Sequence, residues 1–327
     1  MHGKLRLGRL SFCLGLVFSA FLFPGIANLQ AQDFPTKPIT LVVPLGIGGS
    51  SDLTARILAP LSPEIFGQPT VIQIREGGGG AIGSELVGQA KPDGHTLLLG
   101  QSNCNTVLPA LEGRSRGPYD LASVCRINIM DYVLAVRSDA PFKTFTEMVQ
   151  WAKANPGKLT FGSIAGERGW MGFEWMWQQE QAGFKSRIVP FDGGGPAQIA
   201  LLGGHIQVTM SFLTAYLPHF RSGKLRPLAV YGKKRYAEIP NVPTVAEEGY
   251  VQATPGGIWK AVMAPKGTPR PVIDKLALGF KKMTENKQAI ENLKKLGDDF
   301  GYQGPDEFEK FWREDYEAFK KLAMKFK

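Results

Sequence analysis

The chain has 327 residues, of which 43% are hydrophobic and 20% are charged, and its formal net charge is +9 at pH 7. This length is sufficient for two domains of ordinary size. Because the lysines and arginines do not form a patch interleaved with stacking aromatic residues, we expect no nucleic-acid partner. The moderate positive charge supports only a weak preference for small anions.

Residues 1–31 have the pattern of an export signal. Three basic residues (Lys or Arg) lie within the first nine positions, residues 10–27 are mostly apolar, and Ala31 offers a small side chain at the cleavage point. A membrane anchor is the alternative, but the Pro-Gly pair at 24–25 interrupts the apolar run and polar residues follow it directly. We therefore expect an exported protein that is cleaved near Ala31.

The rest of the chain alternates between strand and helix patterns. We predict strands at 39–44, 70–74, 95–100, 132–137, 159–163, 187–191, 206–211, 226–231 and 257–263. We predict helices at 51–66, 80–90, 144–154, 170–182, 195–203, 213–221, 270–284, 287–296 and 305–326. This alternation indicates an α/β fold with mostly parallel sheets. No low-complexity linker is present, so two domains are expected to share strands that cross between them.

The segment 39–52 is the most informative part of the chain. An apolar, β-branched run ends at Pro44, a glycine-rich turn follows, and an amphipathic pattern begins directly after Asp52. This order predicts a strand, a tight turn and a helix N-terminus. Unpaired backbone N–H groups at the positive end of a helix, with serine hydroxyls beside them, can bind a small anion without a formal positive charge.

Two further glycine-rich turns follow predicted strands, at residues 163–169 and 191–196. In open α/β sheets, ligands bind outside the carboxyl ends of the strands, where such turns lie. Each turn by itself could be an ordinary connection between a strand and a helix. Two of them, one from each domain and facing each other, would form a cleft lined by N–H donors, which favours ligand capture.

Motifs for enzyme chemistry are weak or absent. Residues 78–83 match G-x-G-x-x-G, but the position about 20 residues later, where a dinucleotide-binding domain carries an acid, is Asn103. Neither G-x-x-x-x-G-K-[ST] nor G-x-S-x-G is present. The histidines beyond residue 31 (His95, His205 and His219) lack the spacing of a helical metal site. We expect no catalytic residue, no cofactor and no metal site.

Cys104 and Cys125 are the cysteines that remain after the signal. Export exposes them to an oxidising compartment, where a disulfide can form. Two buried free thiols are the alternative, and the sequence leaves both open because it does not give the distance between the two Cα atoms.

Ordered short motifs over the whole chain after the signal resemble those of one family. They are Phe34-Pro-x-Lys-Pro-Ile39, Val42-Val-Pro44, Gly48-Gly49, Asp52-Leu-x-Ala-Arg56, Gly67-Gln-Pro69, Gly79-Gly80, Ile82-Gly83, Lys91-Pro-Asp-Gly94, Leu97-Leu-Leu-Gly100, Ala152-Lys-Ala-Asn-Pro-Gly-Lys-Leu159, Leu201-Leu-Gly-Gly204, Gly223-Lys-Leu-Arg226, Pro240-Asn-Val-Pro-Thr-Val-Ala-Glu247 and Ala264-Pro-Lys-Gly-Thr-Pro269. With these motifs the chain resembles the substrate-binding proteins of tripartite tricarboxylate transporters, the Bug-type periplasmic receptors.

The resemblance implies a two-domain periplasmic-binding-protein fold of the Venus-flytrap kind, with residues 32–135 plus 256–327 in one domain and 136–255 in the other. It implies a small carboxylate ligand (a di- or tricarboxylate or an aromatic acid), held between the turns at 44–52 and 163–169. A monomer that delivers this ligand to membrane transport subunits is the expected function. A ligand-sensing receptor and an exported hydrolase are the alternatives.

Three departures from the family pattern bear on the ligand. The second turn carries Arg168, which could pair bidentately with a carboxylate or instead pair with Glu167 at the surface. Ser211 stands where many members have Asp, and the helix after the second turn is rich in aromatic residues from Trp170 onward. Together these departures favour an anionic ligand without an amino group, and an aromatic one unless the tryptophans belong to the core.

The predicted ligand contacts lie in the turns and at strand ends. They are Pro44, Leu45, Gly48, Gly49, Ser50, Ser51, Asp52, Ser102, Asn103, Ser163, Gly166, Arg168, Gly169, Gly195, Ser211 and Trp259.

Overall fold

The computed structural model describes residues 34–113, 115–164, 166–191, 194–253, 257–295 and 298–324. The expected signal at 1–31 and its cleavage point lie outside these residues. Within them, ten strands form two five-stranded sheets. The strands are β1 (Ile39–Val43), β2 (Thr70–Ile74), β3 (Thr96–Gln101), β4 (Leu121–Met130), β5 (Tyr132–Arg137), β6 (Leu159–Ile164), β7 (Ser186–Phe191), β8 (Val208–Phe212), β9 (Leu225–Tyr231) and β10 (Ile258–Pro265).

Helices connect most of these strands. They are α1 (Ser50–Leu58), α2 (Ser62–Phe66), α3 (Ala81–Gly88), α4 (Leu108–Glu112), α5 (Phe145–Ala154), α6 (Trp170–Ala182), α7 (Gly194–Leu202), α8 (Leu213–Arg221), α9 (Arg270–Thr284), α10 (Lys287–Lys295) and α11 (Pro305–Ala323). Short 3-10 turns occupy Ala59–Leu61, Gly78–Gly80 and Gly166–Arg168, and a π-helical turn occupies Asn103–Val107.

The first sheet has the strand order β2-β1-β3-β10-β4, and the second has the order β7-β6-β8-β5-β9. In each sheet one half is parallel, whereas β10 in the first and β5 in the second run antiparallel to both neighbours. The prediction of mostly parallel sheets is therefore wrong in each antiparallel half. Every predicted strand is present with ends that differ by one or two residues, but β4 was not predicted.

The chain crosses between the sheets where β4 gives way to β5 and again where β9 leads to β10. Only Asp131 separates β4 from β5. Because β5 begins at Tyr132 and pairs with β8 and β9, the expected domain boundary after residue 135 falls inside a strand of the second sheet. The crossing itself lies at Asp131.

The C-terminal helix α11 packs against both halves of the molecule. Near its start, the fully buried rings of Phe308 and Trp312 pack against Trp259 of β10. Near its end, Phe319 packs against Phe173 of α6 with ring centroids 4.5 Å apart. The helix predicted at 305–326 is therefore present and is docked on the protein by its aromatic face. No helix in the described ranges is long and apolar enough to cross a membrane.

Cys104 and Cys125 are free thiols, and both are fully buried. The structure thus decides between the two alternatives that the sequence left open, in favour of separate buried thiols. Burial disfavours the thiolate, so the pKa of Cys104 is raised to about 12 and that of Cys125 is raised as well. Neither side chain is a candidate nucleophile.

Asp315 lies on the buried face of α11, and the titration of its carboxyl group predicts a pH-dependent stability. Burial raises its pKa to about 6, although the indole of Trp259 donates a hydrogen bond to it at 3.2 Å. A raised folded-state pKa contributes stability below the unfolded pKa of about 3.9, and that contribution is lost as the pH rises through 6. We expect Asp315→Asn to raise the free energy of unfolding at pH 7 by about 2 kcal/mol.

The measurement is urea unfolding of both proteins at pH 4 and pH 7. The advantage of Asp315→Asn should fall below about 1 kcal/mol at pH 4, because Asp315 is then protonated in the folded protein and about half protonated in the unfolded protein, where its pKa is about 3.9. Glu314→Gln, at an exposed position of the same helix, is the matched control and should change stability little at either pH. A gain of equal size at pH 4 and pH 7 would contradict the assignment to titration.

Candidate functional site

A cavity of about 540 Å³ lies between the two sheets, at the carboxyl ends of several strands. Such a position is where α/β sheets bind ligands, and the volume suits a small molecule. The cavity is lined by Leu45, Gly46, Gly49, Ser50, Ser51, Gly79, Gln101, Asn103, Met130, Tyr132, Gly169, Trp170, Met171, Phe191, Phe212 and Ile258. We refer to the residues before Met130 as the polar wall and to Met130, Tyr132 and residues 169–212 as the aromatic wall.

The turn between β1 and α1 forms much of the polar wall. Gly48 has a positive φ of 76°, which favours glycine, and its backbone N–H donates to the carboxylate of Asp52 at 2.8 Å. Arg56 lies 2.9 Å from the other carboxylate oxygen. Burial by itself would raise the pKa of Asp52, but the Gly48 hydrogen bond and Arg56 bring the pKa below its usual value. Asp52 therefore holds the turn together and does not line the cavity.

The first turn of α1 presents hydrogen-bond donors to the cavity. Gly49 precedes the helix without a side-chain cap, so the backbone N–H groups of the first turn have no partner within the helix. Ser50 and Ser51 line the cavity beside these groups. The Ser51 side chain is only 2% exposed, and its Oγ has no hydrogen-bond partner. An unpaired buried hydroxyl beside a helix N-terminus is suited to an anionic oxygen.

A buried ion pair supports α1 from behind. The ammonium group of Lys260, on β10, donates to the Thr54 hydroxyl at 3.0 Å and to the carboxylate of Asp298 at 2.7 Å. The Thr54 hydroxyl in turn donates to the backbone carbonyl of Ser50 at 2.8 Å. Burial lowers the pKa of Lys260, and the Asp298 charge acts in the opposite direction. This chain of bonds connects the first sheet to the residue at the start of α1 that lines the cavity.

The end of β3 contributes the remaining polar groups. Gln101 and Asn103 line the cavity, and Asn103 opens the π-helical turn. The Trp312 indole donates to the backbone carbonyl of Asn105 at 3.1 Å, which joins this turn to α11. Short π-helical turns are frequent at functional sites. The neighbouring Ser102 is 1% exposed and does not line the cavity, so the structure supports Asn103 more directly than Ser102 as a ligand contact.

The opposite wall is aromatic. Tyr132 stacks on Phe212 with ring centroids 4.7 Å apart, and Trp170 lies 5.0 Å from Tyr132. Phe191 and Phe212, at the ends of β7 and β8, remain partly exposed, whereas Trp170 is only 4% exposed. The indole nitrogen of Trp170 is buried and has no hydrogen-bond partner. These rings fix one another in place, so the wall is already formed without a ligand.

The turn at 163–169 shapes this wall from below. Gly166 has a positive φ of 63°, and the hydroxyl of Ser163 donates to its carbonyl at 2.7 Å. That carbonyl also lies against Gly172 of α6, where a Cβ atom would overlap it. Ser163 and Gly166 thus form the turn, and Gly169 is the residue of the turn that lines the cavity. The side chain of Arg168 lies outside the description, so its predicted role stays a prediction.

Several predicted contacts lie away from the cavity, and Trp259 is the clearest correction. Its indole is fully buried in the cluster with Phe308 and Trp312 and donates to Asp315, so it is a core residue beneath α11. Ser211 pairs with Val133 inside the second sheet, and a Cβ atom added at Gly195, on the first turn of α7, would have no atom within 4 Å. Among the predicted residues, Leu45, Gly49, Ser50, Ser51, Asn103 and Gly169 line the cavity, whereas Pro44, Gly48, Asp52, Ser102, Ser163, Gly166, Gly195, Ser211 and Trp259 do not.

Most residues of the aromatic wall were not among the predicted ligand contacts. Phe191 and Phe212 end their strands, and that position could have marked them as candidates. Met130 and Ile258 lie where β4 ends and β10 begins, next to the crossings, and no local pattern marks such residues. In the described ranges, no group of three or more His, Cys, Asp or Glu side chains could hold a metal ion.

Two five-stranded sheets, joined by two crossings of the chain and enclosing a lined cavity, have the architecture of a two-lobed solute-binding protein. Residues 54–326 match the model of the tripartite tricarboxylate transporter family receptors, TctC, and the chain belongs to this family. It is 34% identical to Protein BugT of Bordetella pertussis over 277 residues, which cover 81% of this chain and 82% of BugT. The identification made from the sequence motifs is thereby confirmed.

Solved structures agree with this assignment. The structure is similar to a TctC solute-binding protein from Polaromonas, with a TM-score of 0.77 and 27% identity over 89% of this chain and 99% of the other. It is also similar to Rpa4515 of R. palustris, solved with adipate, with a TM-score of 0.74 and 27% identity over 89% of this chain and 98% of the other. The predicted two-domain periplasmic-binding-protein fold is confirmed, and the family is one of periplasmic solute receptors.

Proposed function

We propose that this protein is a periplasmic receptor that captures a small carboxylate in the cavity and delivers it to the membrane subunits of a tripartite tricarboxylate transporter. The observation that carries the ligand class is the first turn of α1, where the uncapped helix N–H groups and the buried, unpaired Ser51 hydroxyl belong to residues that line the cavity. The adipate bound to Rpa4515 supports a carboxylate ligand. Membership of the receptor family supports delivery to a transporter and a role without catalysis.

The location follows from the same proposal. An exported protein would reach the periplasm after cleavage near Ala31, and the basic and apolar pattern of residues 1–31 supports this step. The protein would act as a monomer, since its cavity is lined by both lobes of one chain. Arg168 remains a proposed further partner of the carboxylate, because it adjoins Gly169 in the second turn.

The proposal is tested by thermal unfolding of the cleaved protein against a panel of mono-, di- and tricarboxylates, amines and neutral sugars. A carboxylate at about 100 times its dissociation constant should raise the free energy of unfolding by about 2.7 kcal/mol. Ser51→Ala should weaken the best acid by about tenfold to a hundredfold, because a hydrogen bond to a charged group is lost. A midpoint raised by amines or sugars but by no acid would contradict the proposal.

Ser123→Ala is the matched control for this variant. Ser123 is 5% exposed and its hydroxyl is likewise buried without a partner, but it lies within β4 and does not line the cavity. We expect Ser123→Ala to bind the acid as the unchanged protein does. Equal weakening by both variants would show that the Ser51 hydroxyl acts through general packing and not through ligand contact.

A further inference from the structure

The two walls of the cavity differ in chemistry. The polar wall offers backbone N–H groups, the hydroxyls of Ser50 and Ser51, and the side-chain amides of Gln101 and Asn103. The aromatic wall offers rings and thioethers, and its partly exposed members are Phe191 and Phe212. None of the described side chains that line the cavity carries a formal charge.

We infer that the ligand is a monocarboxylate with a flat apolar body, of the arylalkanoate class, bound with its carboxylate on the polar wall and its ring against Phe191 and Phe212. This inference rests on the proposed function and narrows its ligand. Among small acids, the inference favours those with one carboxylate and one apolar end.

The cost of a second carboxylate is the first argument. A diacid that spans the cavity would place its far carboxylate against Phe212, Tyr132 and Trp170, where the backbone N–H groups at the start of α6 are available but the described side chains offer no cation and no amide. A carboxylate at that wall would have fewer hydrogen-bond donors than one on the polar wall and would displace water from apolar rings without gain, whereas burying a ring there releases apolar surface from water. The same wall therefore penalises a diacid and favours an aromatic monoacid.

The arrangement of the rings is the second argument. Tyr132 lies between Phe212 and Trp170, with centroid distances of 4.7 Å and 5.0 Å, so these three rings are held by one another, and Phe191 packs against the separate cluster around Leu201 and Ile206. A ligand ring would therefore pack against aromatic side chains that are already held in place. Aromatic pairs gain energy beyond the area they bury, and little ordering of side chains is required.

Three acids test the inference in matched steps. Hexanoate and adipate have the same carbon chain and differ by one carboxylate, and 3-phenylpropanoate replaces the flexible end of a monoacid with a ring. Titration calorimetry on the cleaved protein should give the affinity order 3-phenylpropanoate, then hexanoate, then adipate. We expect about tenfold between the first and the last members of the series.

Phe212→Leu and Phe191→Leu test the wall itself, since both keep an apolar side chain of similar size. Each should weaken 3-phenylpropanoate by about tenfold and change hexanoate less. Tyr119→Leu is the control, because Tyr119 is an aromatic residue that is 45% exposed and does not line the cavity. The unfolding midpoint of each variant without ligand shows whether it is folded. If one wall variant fails to fold, the other still tests the inference.

The outcomes separate this inference from the proposed function. Tighter binding of adipate than of both monoacids, or wall variants that leave 3-phenylpropanoate unchanged, would overturn the inference and leave the carboxylate receptor intact. If adipate is preferred and Arg168→Gln abolishes that preference, Arg168 supplies the second cation and the inference is equally overturned. Failure of every acid in the wider panel to bind would overturn the proposed function as well.

Discussion

Lys260→Met is expected to lower the free energy of unfolding by about 3–5 kcal/mol, because it leaves the Asp298 carboxylate buried without its cation. The Lys260 side chain is fully buried and that of Asp298 is 5% exposed. Asn128 also donates to the same carboxylate oxygen, at 2.6 Å, but a neutral amide does not replace the ammonium charge. Urea unfolding followed by circular dichroism measures the change.

The double variant Lys260→Met/Asp298→Asn separates the unpaired charge from lost packing. With no buried charge left, most of the lost stability should return, since an uncharged pair of similar volume is often tolerated. Lys281→Met is the surface control: its ion pair with Glu285 spans 3.8 Å between side chains that are 51% and 63% exposed, so we expect a loss below about 1 kcal/mol. Equal losses in Lys260→Met and in the double variant would attribute the effect to packing.

Gly172→Ala is expected to lower the free energy of unfolding by about 3 kcal/mol, although alanine is normally the better helix former. A Cβ atom at position 172 would overlap the carbonyl oxygen of Gly166 and approach the Cα of Glu167, both of which are backbone atoms that cannot rotate away. The turn at 163–169 must then move away from α6. Because Gly169 and Trp170 line the cavity, ligand affinity should fall together with stability.

Gly195→Ala is the matched control for this substitution. Gly195 also lies in a helix that follows a glycine-rich turn, but nothing lies within 4 Å of its added Cβ. We expect it to be neutral or to stabilise the protein by up to about 1 kcal/mol. The measurements are unfolding and ligand titration of both variants. If Gly172→Ala behaved like Gly195→Ala, the close approach of α6 to the turn would not contribute to stability or to ligand affinity.

The sequence was sufficient to predict the elements whose pattern is local. The apolar run at 39–43 with its glycine-rich turn gave a strand and a helix start, and both are present as β1 and α1. Strand β4 was missed because Ser123, Arg126 and Asn128 interrupt its apolar pattern. Asn128 is nevertheless buried, and its amide is bonded to Asp298 from a distant part of the chain. No local pattern reveals a polar residue whose partner lies 170 positions away.

The residues of the candidate site likewise include some that local sequence patterns predict and others that they do not. Ser50, Ser51 and Asn103 could be predicted because each follows a strand directly or begins a helix. Phe191 and Phe212 could have been named by the same rule, but their grouping with Tyr132 and Trp170 could not, since that wall is assembled from the ends of β7 and β8, the start of β5 and the start of α6. Trp259 shows the converse error: it lies beside Ile258, which lines the cavity, but successive residues of a strand point to opposite faces.

Helix α11 has a mechanical consequence for the whole molecule. Its first half is anchored on Trp259 of the first sheet, and its last turns are anchored on Phe173 of the second lobe. Any rotation of one lobe against the other must therefore bend this helix or pull Phe319 away from Phe173. We therefore expect the extent of lobe movement to depend on the contacts of α11, which are made by residues that do not line the cavity.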